Sequence, residues 1–175
     1  MTNEYRHIPV LLSECIEALH LSEGQTYVDA TLGGAGHSLE VAKHIGRTGH
    51  LIGIDQDAVA RKAARERLEA LPEAIRPEID VVEGNFGDLD ALLVAAQIPS
   101  IDAILFDLGV SSVQIDTPAR GFSFKETGPL DMRMDPSNQT LTAAEIINTY
   151  NAADLARSSV SILMKSGQVA LQNLS

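Results

Sequence analysis

The sequence predicts an α/β fold built on a mainly parallel β-sheet. Four short apolar runs alternate with amphipathic segments along the chain, a pattern typical of βαβ units. A glycine-rich turn follows the first run, and acidic side chains end the second run and follow the fourth. Because ligands bind at the carboxyl ends of parallel strands, this arrangement predicts a ligand site at that edge of the sheet.

The elements follow one another in a regular order. The helices are recognised by helical spacing of apolar residues and by caps such as Pro9, Asp88 and the Thr142/Glu145 capping box. They are predicted over 9–20, 37–45, 58–71, 88–97 and 142–155. The strands are predicted in a run beginning at Tyr27, and over Leu51–Asp55, Ile79–Glu83 and Ala103–Phe106.

The turn after the first strand reads Leu32-Gly33-Gly34-Ala35-Gly36-His37. Glycines leave no Cβ, so the backbone can approach a ligand, and the amides of the following helix point to the same place. In nucleotide-binding α/β folds an acidic residue roughly 20 residues later holds the ribose hydroxyls, and Asp55 occupies that position. The dinucleotide fingerprint fails because Leu39 stands where its third glycine belongs, and the turn has no P-loop lysine. S-Adenosylmethionine, which has a ribose but no phosphate, therefore fits best.

Composition places the chain among ordinary globular proteins. Its 175 residues are 45% hydrophobic and 21% charged, which suits one domain with a proper core. No apolar run is long enough to span a bilayer and no secretory signal opens the chain, so we expect a cytoplasmic location without membrane contact. The single cysteine, Cys15, shares a helical face with Leu12 and Leu19 and is expected to be a buried thiol. No His/Cys cluster has metal-ligand spacing, so no metal is expected.

Residues 109–138 form a polar segment interrupted by glycines and prolines. A loop this long inside a compact domain is usually functional or disordered, and its aromatic residues, Phe122 and Phe124, argue against disorder. These two rings are equally suited to stacking on bases and to anchoring the loop in the core.

Five segments carry a specific family resemblance: His7–Leu12, Gly84–Phe86, Phe106–Gln114, Arg120–Phe124 and Gly128–Pro136. In them the chain resembles the bacterial small-subunit (16S) ribosomal RNA cytosine-N4 methyltransferases, the MraW or RsmH family, from residue 5 to about residue 157. The resemblance implies a Rossmann-like, S-adenosylmethionine-dependent methyltransferase fold. It also implies methylation of the exocyclic N4 amine of a cytosine, with the 16S RNA or the small ribosomal subunit as partner.

The resemblance also implies which residues hold the cofactor. They are Ala35, Gly36, His37, Asp55, Phe86, Asp107 and Gln114. Asp55 would accept both ribose hydroxyl protons, Phe86 would form an apolar wall for adenine, and Asp107 and Gln114 would hold the methionine end.

Asp107 is also the candidate catalytic residue. DNA amino-methyltransferases bind the reacting amine with an Asp/Asn-Pro-Pro-aromatic segment, which is absent here, and Asp107 with Ser111–Ser112 takes the comparable place. The alternative for Asp107 is an N-cap of the next segment. For His37 we favour a role through its backbone N–H alone.

The motifs end near Arg157. Relatives in this family are roughly twice as long, and the tail 158–175 contains no acidic residue. One permitted coding of this tail, read two bases later, encodes a segment resembling the helix that relatives carry there, so we expect a frameshift. The chain would then be a single, partial methyltransferase domain over residues 1–175, with a functional loop at 109–138, an atypical tail at 158–175 and a sheet incomplete on its C-terminal side.

A net charge of −11 is unusual for a protein that must hold RNA, since phosphate contacts come from Lys and Arg. An RNA-binding half missing from the chain would account for it. Two further functions stay open: a non-catalytic fragment that at most binds S-adenosylmethionine or a partner, and a nucleotide-dependent oxidoreductase, which Leu39 disfavours.

Overall fold

The computed structural model describes residues 9–157. Their contacts divide the chain after Asp107 into two compact units, which are described separately. The tail 158–175, with the expected frameshift, lies outside the described residues.

The first unit contains alternating helices and strands. They are α1 (Leu12–Leu19), β1 (Thr26–Asp29), α2 (Gly36–Ile45), β2 (His50–Asp55), α3 (Ala58–Glu69), β3 (Glu78–Glu83), α4 (Leu89–Ala95) and β4 (Ala103–Leu105). Each corresponds to a predicted element, and the ends differ by a few residues. α1 begins later than predicted because Leu11, at φ 54°, is in a left-handed conformation outside the helix.

Asp88 stands at the N-cap position of α4, as predicted. Its side chain makes no capping hydrogen bond. The polypeptide first forms a 3-10 turn over Phe86–Asp88, which Asn85 caps by accepting the Gly87 N–H at 2.8 Å. The short side chain of Asn85 therefore determines where the chain turns after β3.

The four strands form one parallel sheet in the order β3-β2-β1-β4. This confirms the predicted α/β class. Asp29 at the end of β1 pairs with Gly53 of β2 on one side and with Leu105 of β4 on the other. The strand order changes direction at β1, and a crevice for ligands is expected outside the carboxyl ends of the strands at such a point.

β1, β2 and β4 are buried on both faces of the sheet, which is why they are continuous apolar runs, whereas the edge strand β3 is only partly buried. Tyr27 and Leu51 pack with α1, α2 and α3 on one face, and Val28 and Ile52 pack with residues of α4 on the other. Cys15 of α1 is buried in the first cluster, and burial raises the pKa of its thiol, with Asp107 and Glu14 adding to the effect. Cys15 is therefore a protonated core thiol, as predicted.

We expect the Tyr27→Phe variant to be more stable than the wild type by about 1 kcal/mol. Tyr27 is fully buried, and its hydroxyl has no hydrogen-bond partner among residues 9–157. Burying a hydroxyl without a partner costs free energy that a phenylalanine ring does not incur. Urea denaturation measures the difference, with Tyr150→Phe at an exposed position as the control. A clear loss of stability in Tyr27→Phe would show that the hydroxyl has a partner.

Within residues 108–157, the second unit contains little regular structure. It has a short helix α5 (Ser112–Ile115), a 3-10 turn (Pro118–Arg120) and α6 (Ala143–Thr149). The predicted capping box of α6 is present, with the Thr142 hydroxyl accepting from the Glu145 N–H at 3.2 Å.

The predicted end of α6 at residue 155 is wrong. Tyr150 is extended, and residues 152–157 form a separate helical segment. The reason is the side chain of Asn151, whose Oδ1 accepts the Asp154 N–H at 3.0 Å and so begins a new helical turn.

Hydrogen bonds hold the second unit together. Arg133 makes a two-point bond with Asp131, both at 2.7 Å, which lowers the pKa of that carboxyl, and it also donates to the Gln139 carbonyl at 2.8 Å. Gly121, at φ +77°, has no room for a side chain, since a Cβ there would lie 2.3 Å from the Pro129 carbonyl oxygen. Among residues 108–157 no apolar side chain is fully buried. The expected functional loop is thus ordered by polar contacts.

Candidate cofactor site

The glycine turn joins β1 to the N-terminus of α2. Gly33 and Ala35 have positive φ angles of 49° and 60°, and the turn closes through the Ala35 N–H, which donates to the Leu32 carbonyl at 2.7 Å. Within residues 9–157, the amides of Gly36 and His37 in the first turn of α2 have no hydrogen-bond acceptor. They are available to a ligand, as at other helix N-termini.

Asp55, the last residue of β2, binds the turn directly. Its Oδ2 accepts the Gly33 N–H at 2.8 Å and its Oδ1 accepts the Asp57 N–H at 2.8 Å. Burial raises the pKa of Asp55; the two backbone N–H groups and Arg61 act in the opposite direction. Each carboxylate oxygen keeps a second acceptor site, so the group can still bind two ribose hydroxyls.

Residues of β2 and α3 support the glycine turn. The Leu32 N–H donates to the Ile54 carbonyl at 3.0 Å, and the Leu32 side chain packs so closely on Gly53 that a Cβ there would lie 2.6 Å from Leu32 Cδ1. Arg67 of α3 donates to the Gly34 carbonyl. The backbone amides offered to a ligand are therefore held by two neighbouring elements, β2 and α3.

Phe86 follows β3 at the same edge of the sheet. Its half-buried ring meets Phe106 edge to face, with ring centroids 5.8 Å apart and an interplanar angle of 85°. This contact fixes the orientation of the Phe86 ring. Its partial exposure leaves apolar surface for a ligand.

Asp107 follows β4, and its backbone N–H donates to Thr31 Oγ1 at 2.7 Å. Its carboxylate is 57% exposed, and Oδ2 lies 3.9 Å from His37 Nδ1, longer than a hydrogen bond. The next helix begins only at Ser112, so the N-cap alternative for Asp107 is wrong.

The His37 side chain does more than the sequence suggested. Its ring is buried, and Nε2 lies 3.2 Å from the Val10 carbonyl oxygen. Pro9 packs on the neighbouring Gly36, where a Cβ would lie 2.4 Å from Pro9 Cγ. The imidazole therefore fastens the segment before α1 to the glycine turn, and the amide of His37 is left for a ligand.

We expect the His37→Ala variant to bind S-adenosylmethionine within about threefold of the wild type but to be less stable by about 1–2 kcal/mol. The variant keeps the backbone amide and loses the buried contact with Val10. Titration calorimetry and thermal unfolding separate the two effects, and His44→Ala at an exposed position of α2 is the control. A tenfold loss of affinity without loss of stability would show that the imidazole contacts the cofactor.

Three polar residues near the turn were not predicted as part of the site. Asp29 is buried, with Oδ2 accepting the Ser38 hydroxyl at 2.6 Å and Oδ1 accepting the Thr31 N–H at 3.2 Å. Burial raises the pKa of Asp29, and the bonds from Ser38 and Thr31 act in the opposite direction. The signal in the sequence was a carboxylate at the end of an otherwise apolar strand.

Gln114 lies in the second unit and is buried there. Its Oε1 accepts the Ser111 N–H at 2.9 Å, and its Nε2 lies 3.2 Å from the Met134 sulfur. Its contact with a cofactor stays a prediction. Phe124 is fully exposed, so the alternative that it anchors the loop in the core is wrong, whereas Phe122 is half-buried.

Comparison with known proteins shows which family the chain belongs to. The model of the MraW methylase family matches residues 4–172. The chain belongs to the MraW methylase family. The family match extends beyond Arg157, where the recognisable motifs end, and takes in most of the tail.

Two relatives are ribosomal RNA small subunit methyltransferase H of Mycoplasma mycoides, 48% identical over 163 residues, and ribosomal RNA small subunit methyltransferase H 2 of Agathobacter rectalis, 50% identical over 155 residues. The matches cover 93% and 88% of this chain and 50% and 48% of those proteins. The chain thus spans about half the length of these MraW-family relatives. A crystal structure from Clostridium thermocellum, described as that of an rRNA methylase, is 23% identical with a TM-score of 0.46 and covers 56% of this chain and 50% of its own.

No helix within residues 9–157 is both long and apolar enough to cross a membrane. No group of three or more His, Cys, Asp or Glu side chains in that range is arranged to hold a metal ion.

Proposed function

We propose that this chain contributes the cofactor site of an S-adenosylmethionine-dependent methyltransferase. Its target would be the exocyclic N4 amine of a cytosine in small-subunit ribosomal RNA, in the bacterial cytoplasm. The observation that carries the proposal is the 2.8 Å bond between Asp55 Oδ2 and the Gly33 N–H, which joins the ribose-binding acid to the glycine turn in a member of the MraW methylase family.

The residues present fit this cofactor. Asp55 would accept the ribose hydroxyls, Ala35 and the open amides of Gly36 and His37 would border the nucleoside, and Phe86 would pack against adenine. Asp107 and Gln114 would hold the methionine end. The open amides of the first turn of α2 and the unused acceptor sites on Asp55 are the structural support for this assignment.

When bound, the cofactor supplies an electrophilic methyl group on a sulfonium. The protein must then align the acceptor amine with that methyl group, since alignment supplies a large share of the rate enhancement. The lone pair of the cytosine amine is delocalised into the ring. A hydrogen bond from the amine to the Asp107 carboxylate would return electron density to the nitrogen, and the same carboxylate can accept the proton that the amine loses. The exposure of Asp107 at the edge of the sheet is compatible with this role.

The RNA substrate must present its base outside the stack, because the amine of a stacked, paired cytosine is out of reach. The two relatives described above are named as small subunit ribosomal RNA methyltransferases, which supports an RNA partner, either free 16S RNA or the small subunit. The net charge of −11 means that acidic side chains outnumber the Lys and Arg side chains that could contact RNA phosphates.

A second candidate is a fragment that binds the cofactor without transferring the methyl group. The observation that favours it is the match to only about half of each relative. Such a fragment would retain the glycine turn and Asp55 but lack part of the RNA-binding surface.

Two measurements test the proposal. Calorimetric titration with S-adenosylmethionine should give saturable binding, and titration with NAD should give none. Incubation with small-subunit RNA and methyl-labelled cofactor should then label a cytosine. Binding without labelling supports the fragment, whereas binding of NAD in preference to S-adenosylmethionine overturns the methyltransferase assignment.

A further inference from the structure

The pairing between β1 and β4 does not end with the backbone ladder. The last main-chain bond runs from the Ala30 N–H to the Leu105 carbonyl at 2.9 Å. Just beyond it, the Asp107 N–H donates to Thr31 Oγ1 at 2.7 Å. A side-chain hydroxyl thus takes the place of a main-chain acceptor and ties together the two loops that leave the sheet at the crevice.

Thr31 is itself held from the other side. Its N–H donates to Asp29 Oδ1 at 3.2 Å, and the second oxygen of Asp29 accepts the Ser38 hydroxyl at 2.6 Å. Asp29 is only 2% exposed, so this link is shielded from water. A continuous set of hydrogen bonds therefore connects the first turn of α2, through Asp29 and Thr31, to the backbone of Asp107.

The carboxylate of Asp107 has few other constraints. It is 57% exposed, and its Oδ2 lies 3.9 Å from His37 Nδ1, too far for a hydrogen bond. Its position thus depends chiefly on where its own backbone is held. Among residues 9–157, the Thr31 hydroxyl is the one side-chain group that makes a hydrogen bond with the Asp107 backbone.

We propose that Thr31 is a positioning residue: its hydroxyl fixes Asp107 at the point where Asp107 contacts the methionine end of S-adenosylmethionine. This inference rests on the proposed function. Thr31 acts through Asp107, so its contribution to cofactor binding exists only while the Asp107 carboxylate is present.

The test compares the S-adenosylmethionine affinities of Thr31 variants that keep or lose the hydroxyl group. Thr31→Val keeps the shape but removes the acceptor, leaving the Asp107 N–H without a partner, and should weaken S-adenosylmethionine binding by about tenfold. Thr31→Ser keeps the hydroxyl and should bind within about twofold of the wild type. Thr48→Val, the same chemical change at an exposed position at the opposite edge of the sheet, should also bind within about twofold.

A double-substitution cycle with Asp107→Ala separates positioning from a general structural effect. If Thr31 acts through Asp107, adding Thr31→Val to Asp107→Ala should change the affinity by less than about twofold. An equal tenfold loss in both backgrounds would overturn the inference, as would normal affinity in Thr31→Val. Failure of the wild type to bind S-adenosylmethionine would instead overturn the proposed function and this inference with it.

Hydrogen exchange at the Asp107 amide gives a readout that needs no cofactor. In the wild type and in Thr31→Ser this amide should exchange slowly, and in Thr31→Val it should exchange faster while the amides of β1 keep their protection. Rapid exchange of the Asp107 amide in the wild type would overturn the inference even if Thr31→Val did not fold.

Discussion

Replacing Asp55 by alanine should weaken S-adenosylmethionine binding by about 100-fold, or roughly 3 kcal/mol. The change would remove the two charge-assisted bonds that we propose Asp55 makes to the ribose. It also removes the acceptor that holds the Gly33 N–H in the glycine turn at 2.8 Å. Titration calorimetry measures the loss, and thermal unfolding of the same variant shows whether the turn has also been destabilised.

The conservative variant Asp55→Asn refines this expectation. It keeps one acceptor oxygen but loses the charge, so its affinity should fall by about tenfold. Asp80→Asn, the same change on the partly exposed carboxylate that pairs with His50 at 2.8 Å, is the matched control and should leave affinity unchanged. An Asp55→Ala variant that binds within threefold of the wild type would remove Asp55 from the site.

Replacing Asp107 by alanine should abolish methyl transfer to small-subunit RNA. The variant loses the carboxylate that would bond the reacting amine and accept its proton. Loss of a general base lowers the rate of the chemical step by about 100-fold or more. Single-turnover transfer of labelled methyl, at saturating cofactor and RNA, isolates this step from cofactor affinity.

Asp90→Ala is the matched control for Asp107→Ala, because it removes an equal charge from an exposed position in the first turn of α4. It should transfer the methyl group at the wild-type rate. Normal turnover by Asp107→Ala would exclude Asp107 as the amine-binding residue and would direct attention to the loop that follows it.

The strands, the glycine turn and Asp55 could be predicted because each leaves a local signature in the sequence. Buried parallel strands are continuous apolar runs, and the acid that we propose binds the ribose stands at the expected spacing after the glycines. The capping box of α6 could be predicted for the same reason, since its two hydrogen bonds join residues only three positions apart.

The rest of the site depends on the order of strands in the sheet, which no local pattern reveals. Thr31 and Asp107 are 76 positions apart in the chain and are joined only because β4 lies beside β1. Asp29 was overlooked because a carboxylate beside a turn usually faces water. The end of α6 was predicted six residues too late because the side chain of Asn151 competed with the helix backbone, an effect that apolar periodicity does not register.

The central position of β1 determines when the site can form during protein synthesis. β1 can pair with β2 once α2 and β2 have been synthesised. The other edge of β1 has no partner until β4 has been made. Until then a newly synthesised chain exposes an apolar strand edge, the kind of surface that chaperones bind and that aggregation starts from. The glycine turn and Asp55 can meet early, whereas Asp107 is the last of the first unit's site residues to leave the ribosome. The first unit's part of the cofactor site would therefore be complete only after β4 has paired with β1.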